Sequence, residues 1–185
     1  MLKAPDYGLR FKNEIYFNPI SVGRSLIKTA SDKFKYAPEV SDFASNIKEK
    51  DGSQFVLINA VSAYEYWSSN INSDAFEEIE FTQKKRHETF TTHGHPFKNH
   101  VNKDPKLSYG KVLFAAYNPR MHRVELICEY ERSKADDICS RIDKNEDVRV
   151  SMGCKVAYDV CSICGNKAKT TADYCEHLKY EMKKI

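Results

Sequence analysis

The segment from 109 to 131 constrains the fold of this chain more than any other part of the sequence. Two runs rich in β-branched and aromatic residues, 109–117 and 122–131, are joined by the turn-forming sequence Asn118-Pro-Arg-Met. Runs of this kind separated by a short connection are typical of a β-hairpin. The sequence therefore predicts an antiparallel hairpin at its centre.

The other segments predict short helices and strands around this hairpin. The apolar run at 54–64 predicts a buried strand, and the alternating residues at 148–156 predict a half-buried strand. Helices are predicted at about 74–90 after a Ser73 or Asp74 cap, from 134 to 144 after a Ser133 cap, and around 172–184, with helical turns within 30–50. A turn is predicted at 18–23, and a His, Asn and Pro-rich loop runs from 92 to 110. The pattern predicts an α+β fold.

A length of 185 residues suits one main domain with a small appendix. We divide the chain into an N-terminal segment of unclear role at 1–50, a core at 51–157 and an appendix at 158–185. The net charge of +3 is too balanced to indicate a nucleic-acid coat or a membrane-surface protein. The charged N-terminus and the lack of a long apolar stretch argue against a signal peptide and a membrane span, so we expect a soluble protein from a reducing compartment.

The cysteines form the most specific chemical pattern in the chain. All six lie in the last third, and Cys161 and Cys164 are followed by Cys175 and His177 within 17 residues. Gly165 lets the backbone turn so that its amides point toward the first two sulfurs. Three thiolates and one imidazole suit tetrahedral Zn²⁺ in a closed structural site that does no chemistry itself.

Other interpretations of the cysteines are a thiol redox pair or unligated buried side chains, and iron is the alternative metal. Cys154 is a substitute ligand. Cys128 and Cys139 fall on strand and helix faces and are expected to be small core residues.

A second set of residues predicts nucleophilic chemistry. His93, His95 and His100 lie in the long loop, and Ser151 lies on the predicted strand two residues before Gly153. A serine becomes a nucleophile when an imidazole accepts its proton. The alternatives are a solvated loop with an ordinary surface serine, and a second metal site formed by the three histidines.

Several motifs occur in one order along the chain. His100 is followed by Asp104-Pro105, by the Ser108-Tyr-Gly110-Lys-Val112 entry to a strand, and by Val150-Ser151-Met-Gly153. The chain also contains three further segments: Asn72-Ser-Asp74-Ala-Phe76, the hairpin around Asn118, and the cysteine segment from Tyr158 to Lys169. Together these motifs resemble the prohead (capsid maturation) serine proteases of tailed phages, in a subgroup with a zinc-knuckle insertion. The resemblance covers roughly residues 55–180.

The resemblance implies a serine endopeptidase with His100 as general base, Ser151 as nucleophile and His93 or His95 as competing bases. It implies the fold shared with herpesvirus capsid proteases, a β-barrel-like antiparallel core flanked by helices, with a small C-terminal zinc knuckle. The implied substrates are phage scaffold and major capsid proteins inside the procapsid in the host cytoplasm. Self-association is an open alternative, and neither a membrane nor a nucleic acid is an expected partner.

The chain departs from that family in three places. Tyr109 stands where the family has Ile, the His-to-Asp-Pro spacing is longer, and no later strand supplies the acidic third member of a triad. The resemblance therefore predicts a truncated or processed form with little proteolysis alone, an orienting acid among Asp159, Asp173 and Glu176, or a zinc-bearing relative that does not cut. Two non-enzymatic alternatives are a zinc-binding virion or scaffold-associated protein with the protease fold, and a zinc-knuckle nucleic-acid binder. Few aromatics beside the knuckle disfavour the nucleic-acid binder.

Overall fold

The computed structural model describes residues 18–19, 36–69, 74–98, 101–144, 146, 148 and 150–181. The strands within this part of the chain are β1 Asn18–Pro19, β2 Ser53–Ser62, β3 Gly110–Asn118, β4 Arg123–Glu131, β5 Asp159–Val160 and β6 Lys167–Ala168. The helices are α1 Pro38–Ser45, α2 Tyr64–Trp67, α3 Ile79–Thr82, α4 Thr89–His93, α5 Arg132–Asp143 and α6 Glu176–Tyr180. None of these helices is both long and apolar enough to cross a membrane.

The main sheet is antiparallel and has the strand order β1-β2-β4-β3. The predicted hairpin is confirmed, because β3 pairs with β4 from Gly110 opposite Tyr130 to Asn118 opposite Arg123. The predicted strand at 54–64 is confirmed as β2, which pairs with the other side of β4. Helices combined with an antiparallel sheet confirm the α+β class. The four described strands of the main sheet form an open sheet.

Both faces of this sheet are covered, so β4 is buried along most of its length. On one face α1 packs on β3 and β4, and its Val40 and Ala44 share a core cluster with Leu57 and Ile127. The opposite face carries the larger core cluster. That cluster contains Val56, Ile58, Phe81, Val124, Leu126, Cys128, Tyr130, Cys139, Ile142 and Val148. The core is therefore a sheet between two helical layers, as alternate side chains of a strand point to opposite faces.

A buried carboxylate fixes α1 against the sheet. Glu125 of β4 is 0% exposed. Its Oε2 accepts a hydrogen bond from the backbone N–H of Ala37, 2.8 Å away, at the start of α1. Its Oε1 accepts from Asn118 Nδ2 and from Arg123 Nε, each at 2.9 Å. The buried charge is thus paired and hydrogen-bonded, which a charge in the interior requires.

The prediction of one helix from 74 to 90 is wrong, because this region contains two short helices with a break between them. The chain forms α3, a 3-10 turn at Arg86–Glu88 and α4, and Lys85 between them has a left-handed φ of 50°. In one unbroken helix, Phe81 and Phe90 would lie about 180° apart around the axis. Both pack on the same core cluster. The break lets the two aromatic side chains reach one surface.

Two further sequence expectations are wrong in detail. Ser133 does not cap α5, because the helix starts at Arg132 directly after β4 and has no side-chain cap. Residues 150–156 form no strand and pair with no described strand. Val148 is buried in the core and Val150 packs against it, whereas Ser151 and the segment from 153 to 158 are exposed. The apolar alternation in this segment reflects two valine contacts rather than a paired strand.

The remaining helix predictions agree with the structure in part. The turns expected within 30–50 are confirmed by α1. The terminal helix is shorter than predicted, since a 3-10 turn at Thr171–Asp173 precedes α6, which ends at Tyr180. Residues 182–185 lie outside the described residues. Asn18–Pro19 pair with β2 where a turn was predicted, and 20–23 also lie outside the described residues.

Candidate functional site

The first half of the cysteine cluster is a tight turn between two short strands. β5 and β6 pair through Asp159 opposite Ala168 and Val160 opposite Lys167. The Cys161 N–H donates to the Asn166 carbonyl, and the Gly165 N–H donates to the Cys161 carbonyl, each at 2.9 Å. Gly165 has a φ of 73°, a left-handed conformation that favours glycine. This local geometry places the Cys161 and Cys164 sulfurs on the same side of the turn as Cys175 and His177.

The second half begins with a capped turn and ends in α6. The Asp173 carboxylate accepts hydrogen bonds from the Thr170 N–H at 3.0 Å and the Thr170 hydroxyl at 3.1 Å. The Asn166 side-chain amide donates to the Asp173 carbonyl at 2.9 Å, which ties the turn to the first half. Cys175 directly precedes α6 without a side-chain capping hydrogen bond, and His177 lies in the first turn of the helix. The predicted position of the Cys-x-His pair at the start of the last helix is confirmed.

The four predicted ligand side chains come together. One ligand atom from each of Cys161, Cys164, Cys175 and His177 lies within 4.8 Å of all the others. The Sγ atoms of Cys164 and Cys175 are 3.5 Å apart, and Cys175 Sγ is 3.9 Å from His177 Nδ1. Sulfurs bound to one tetrahedral zinc at ~2.3 Å lie about 3.8 Å apart. The cluster therefore has the dimensions of a metal site and could bind a metal ion.

The backbone around this cluster stabilises the thiolate form of Cys161. N–H groups of Cys164 and Ile163 point at the Cys161 sulfur and lower the pKa of its thiol to about 6. The Asn166 N–H lowers the pKa of Cys164, but the neighbouring Cys175 and Cys161 sulfurs raise it, and the net pKa lies above its ordinary value. Three sulfurs at this spacing repel one another when ionised, and a bound cation removes that repulsion.

The other three cysteines lie outside the cluster. Cys128 and Cys139 are buried in the larger core cluster, as predicted, and burial raises the pKa of Cys128 to about 12. Cys154 is exposed and is not among the grouped ligands. All six cysteines are free thiols.

The predicted catalytic residues are not brought together within the described part of the chain. His100 lies outside the described residues. Ser151 is exposed on a segment without regular structure, and its hydroxyl has no hydrogen-bond partner among the described residues. The assignment of His100 as base and Ser151 as nucleophile stays a prediction.

The long loop is partly described. His93 ends α4, and its carbonyl lies 3.1 Å from His95 Nδ1. The Asp104 side chain accepts from the Lys106 N–H at 2.9 Å and caps a 3-10 turn at Pro105–Leu107. Neither His93 nor His95 joins a group of three metal-ligating side chains among the described residues.

Two of the three proposed orienting acids have partners inside the knuckle. Asp159 accepts from the Tyr174 hydroxyl at 2.9 Å. Asp173 caps the turn described above. Glu176 is exposed at the start of α6.

A polar cluster that the sequence did not predict joins the hairpin to the segment before α3. Glu78 Oε1 accepts from the Tyr117 hydroxyl at 2.6 Å and lies 2.9 Å from His122 Nδ1. The His122 ring stacks on Tyr66 with centroids 3.3 Å apart. The Tyr117 hydroxyl, followed by His122, holds the pKa of Glu78 below its ordinary value. The only signal in the sequence is a histidine in the hairpin turn.

Comparison with known proteins gives no relative. No protein-family model, curated protein or solved structure matches this chain.

Proposed function

We propose that residues 158–181 form a zinc knuckle in which Cys161, Cys164, Cys175 and His177 bind one structural Zn²⁺. The observation that carries this proposal is the convergence of four ligand atoms within 4.8 Å. Zinc fits the set better than iron, because Cys₃His is a common structural zinc set whereas iron–sulfur clusters are usually held by four thiolates. With four protein ligands, no coordination position is open to water. The metal therefore stabilises the knuckle and takes no part in a reaction.

Zinc titration of the reduced, metal-free chain tests this proposal. The chain and the Cys154→Ser control should each bind one zinc ion, whereas Cys161→Ser should lose tight binding because three ligands remain. Loss of binding in Cys154→Ser, or unchanged affinity in Cys161→Ser, would contradict the ligand set.

We further propose that the domain bearing this knuckle is a serine endopeptidase of the capsid maturation type. The order of motifs from His100 to Lys169 supports the proposal. So does the exposure of Ser151, since a nucleophile must be reached by a peptide. The substrates would be phage scaffold and capsid proteins inside the procapsid in the host cell. The sheet of β1 to β4 would form part of the barrel-like core of that fold.

In this proposal the chemistry is acyl transfer. His100 would accept the Ser151 proton as the hydroxyl attacks the peptide carbonyl, and would return it to the leaving amine. Water would then hydrolyse the acyl-enzyme. Gly153, two residues after the nucleophile, would leave room for the substrate backbone.

A non-catalytic zinc-binding virion or scaffold-associated protein is the second candidate. The ligand cluster supports it, because a closed Cys₃His site stabilises a small fold and needs no catalytic serine. In that case the knuckle would serve assembly, and Ser151 would be an ordinary surface serine.

A fluorophosphonate probe separates the two candidates. In the metal-loaded chain, the endopeptidase proposal expects one covalent adduct on Ser151, located by peptide mass spectrometry, and no adduct in Ser151→Ala. The His100→Ala variant should label far more slowly. An unmodified Ser151 under conditions that label a control serine protease would favour the non-catalytic candidate.

A further inference from the structure

The segment that carries Ser151 is held at its two ends. Upstream, Val148 is 3% exposed within the larger core cluster and Val150 packs against that cluster. Between Val150 and Tyr158, the Cys154 thiol lies near the carboxylates of Asp74 and Asp159, and no hydrogen bond joins the segment to another described residue. Its position therefore depends on what anchors residue 158 and the residues that follow.

The downstream anchor is the knuckle. Lys167 Nζ lies 5.1 Å from the centre of the Tyr158 ring. Asp159 accepts from the Tyr174 hydroxyl, and Cys161 belongs to the ligand cluster two residues later. These contacts tie the end of the Ser151 segment to both halves of the knuckle.

The knuckle has little to hold it together except a metal. From residue 151 onward, Cys161 and Ala168 are the only buried side chains among the described residues. Two strands of two residues and a five-residue helix do not form a stable unit on so small a core. Small sites of this kind fold when the metal binds.

The main core does not depend on the knuckle. Both core clusters are built from residues up to Val150, and none of their members belongs to the knuckle. Loss of the metal is therefore expected to release the knuckle and leave the sheet folded.

We propose that the bound metal controls the reactivity of Ser151 by fixing the downstream end of the segment that carries it. This inference rests on the proposed endopeptidase function. With metal, the eight residues from 151 to 158 are anchored at both ends. Without metal, the Val148 and Val150 contacts upstream and the neighbourhood of Cys154 to Asp74 remain, and the downstream anchor is lost. The reaction rate is sensitive to the position of the Ser151 hydroxyl, because a 1 Å displacement of a reacting group can lower the rate ~10²-fold.

The experiment compares the zinc-loaded chain with the same chain after EDTA treatment, using two measurements. The first is the rate of fluorophosphonate labelling at Ser151. The second is hydrogen exchange of peptides from 159–168, where the Cys161 and Gly165 N–H groups are hydrogen-bonded, with peptides from β2 and β4 as internal controls. We expect labelling to slow by about 100-fold without metal. Exchange at 159–168 should rise while β2 and β4 stay protected, and added zinc should restore both values.

A matched variant separates anchoring from metal binding itself. Tyr174→Phe keeps all four ligands and removes only the hydroxyl that holds Asp159. It should bind one zinc ion as the parent chain does, yet label more slowly at Ser151.

The outcomes distinguish this inference from the proposed function. Equal labelling and equal exchange with and without metal would overturn the inference and leave a reactive Ser151. An unreactive Ser151 in the zinc-loaded chain would contradict the endopeptidase proposal. Hydrogen exchange would still show whether the metal anchors the downstream end of the segment. Loss of protection in β2 and β4 on metal removal would also overturn the inference, because the metal would then act through global stability.

Discussion

Replacing Glu125 with glutamine should destabilise the domain strongly. The carboxylate is fully buried and accepts from Ala37 through one oxygen and from Asn118 and Arg123 through the other. A carboxamide of the same shape has one oxygen and one NH₂ group. In one orientation the NH₂ group faces the Ala37 N–H, and in the other it faces the Asn118 and Arg123 donors, so at least one donor always faces another donor. Each lost hydrogen bond to the charged group costs ~1.5–3 kcal/mol. The Arg123 charge also loses its buried partner, and the expected total is about 3–5 kcal/mol.

Thermal unfolding followed by circular dichroism measures this effect. For a domain of this size, the loss corresponds to a decrease in Tm of roughly 6–20 °C. The matched control is Glu131→Gln on the same strand, whose half-exposed side chain pairs with Lys134 at the surface. That control should change the free energy of unfolding by less than ~1 kcal/mol. A loss below ~1 kcal/mol in Glu125→Gln would refute the role given to the buried carboxylate.

Two further substitutions test the packing around the hairpin. The Tyr117 hydroxyl and His122 lower the pKa of Glu78 from 4.5, so its contribution to stability is present above about pH 4.5 and is lost as the pH falls through the lower folded value. Glu78→Gln should therefore reduce the acid dependence of the free energy of unfolding below pH 5, and the exposed neighbour Glu77→Gln should leave that dependence nearly intact; identical profiles would count against this cluster. A Cβ at Gly110 would lie 1.8 Å from the Glu129 carbonyl oxygen of the paired strand. Gly110→Ala should lower the urea midpoint by disturbing the register of β3 on β4, and an unchanged midpoint would argue against that close approach.

The parts of the fold predicted from the sequence depend on local patterns. The hairpin could be predicted because both strands and their turn lie within one continuous segment. The ligand cluster could be predicted for the same reason, since its four residues span 17 positions. In both cases, a short connection leaves few alternative pairings.

The parts that the sequence did not predict depend on contacts between distant segments. The break at Lys85 follows from the need of Phe81 and Phe90 to reach one core surface, which the local helical signals do not encode. Glu125 looks like an outward-facing charge until α1, 88 residues earlier, crosses the sheet above it. The residues from 150 to 156 alternate as a strand would, yet they pair with no described strand.

X-ray absorption spectroscopy at the zinc edge, together with the metal content of the purified chain, tests the central claim most directly. The account predicts one zinc per chain, with three sulfur ligands at ~2.3 Å and one nitrogen ligand at ~2.0 Å. A chain that takes up no zinc, or a bound zinc with water in its coordination shell, would contradict the closed site formed by Cys161, Cys164, Cys175 and His177.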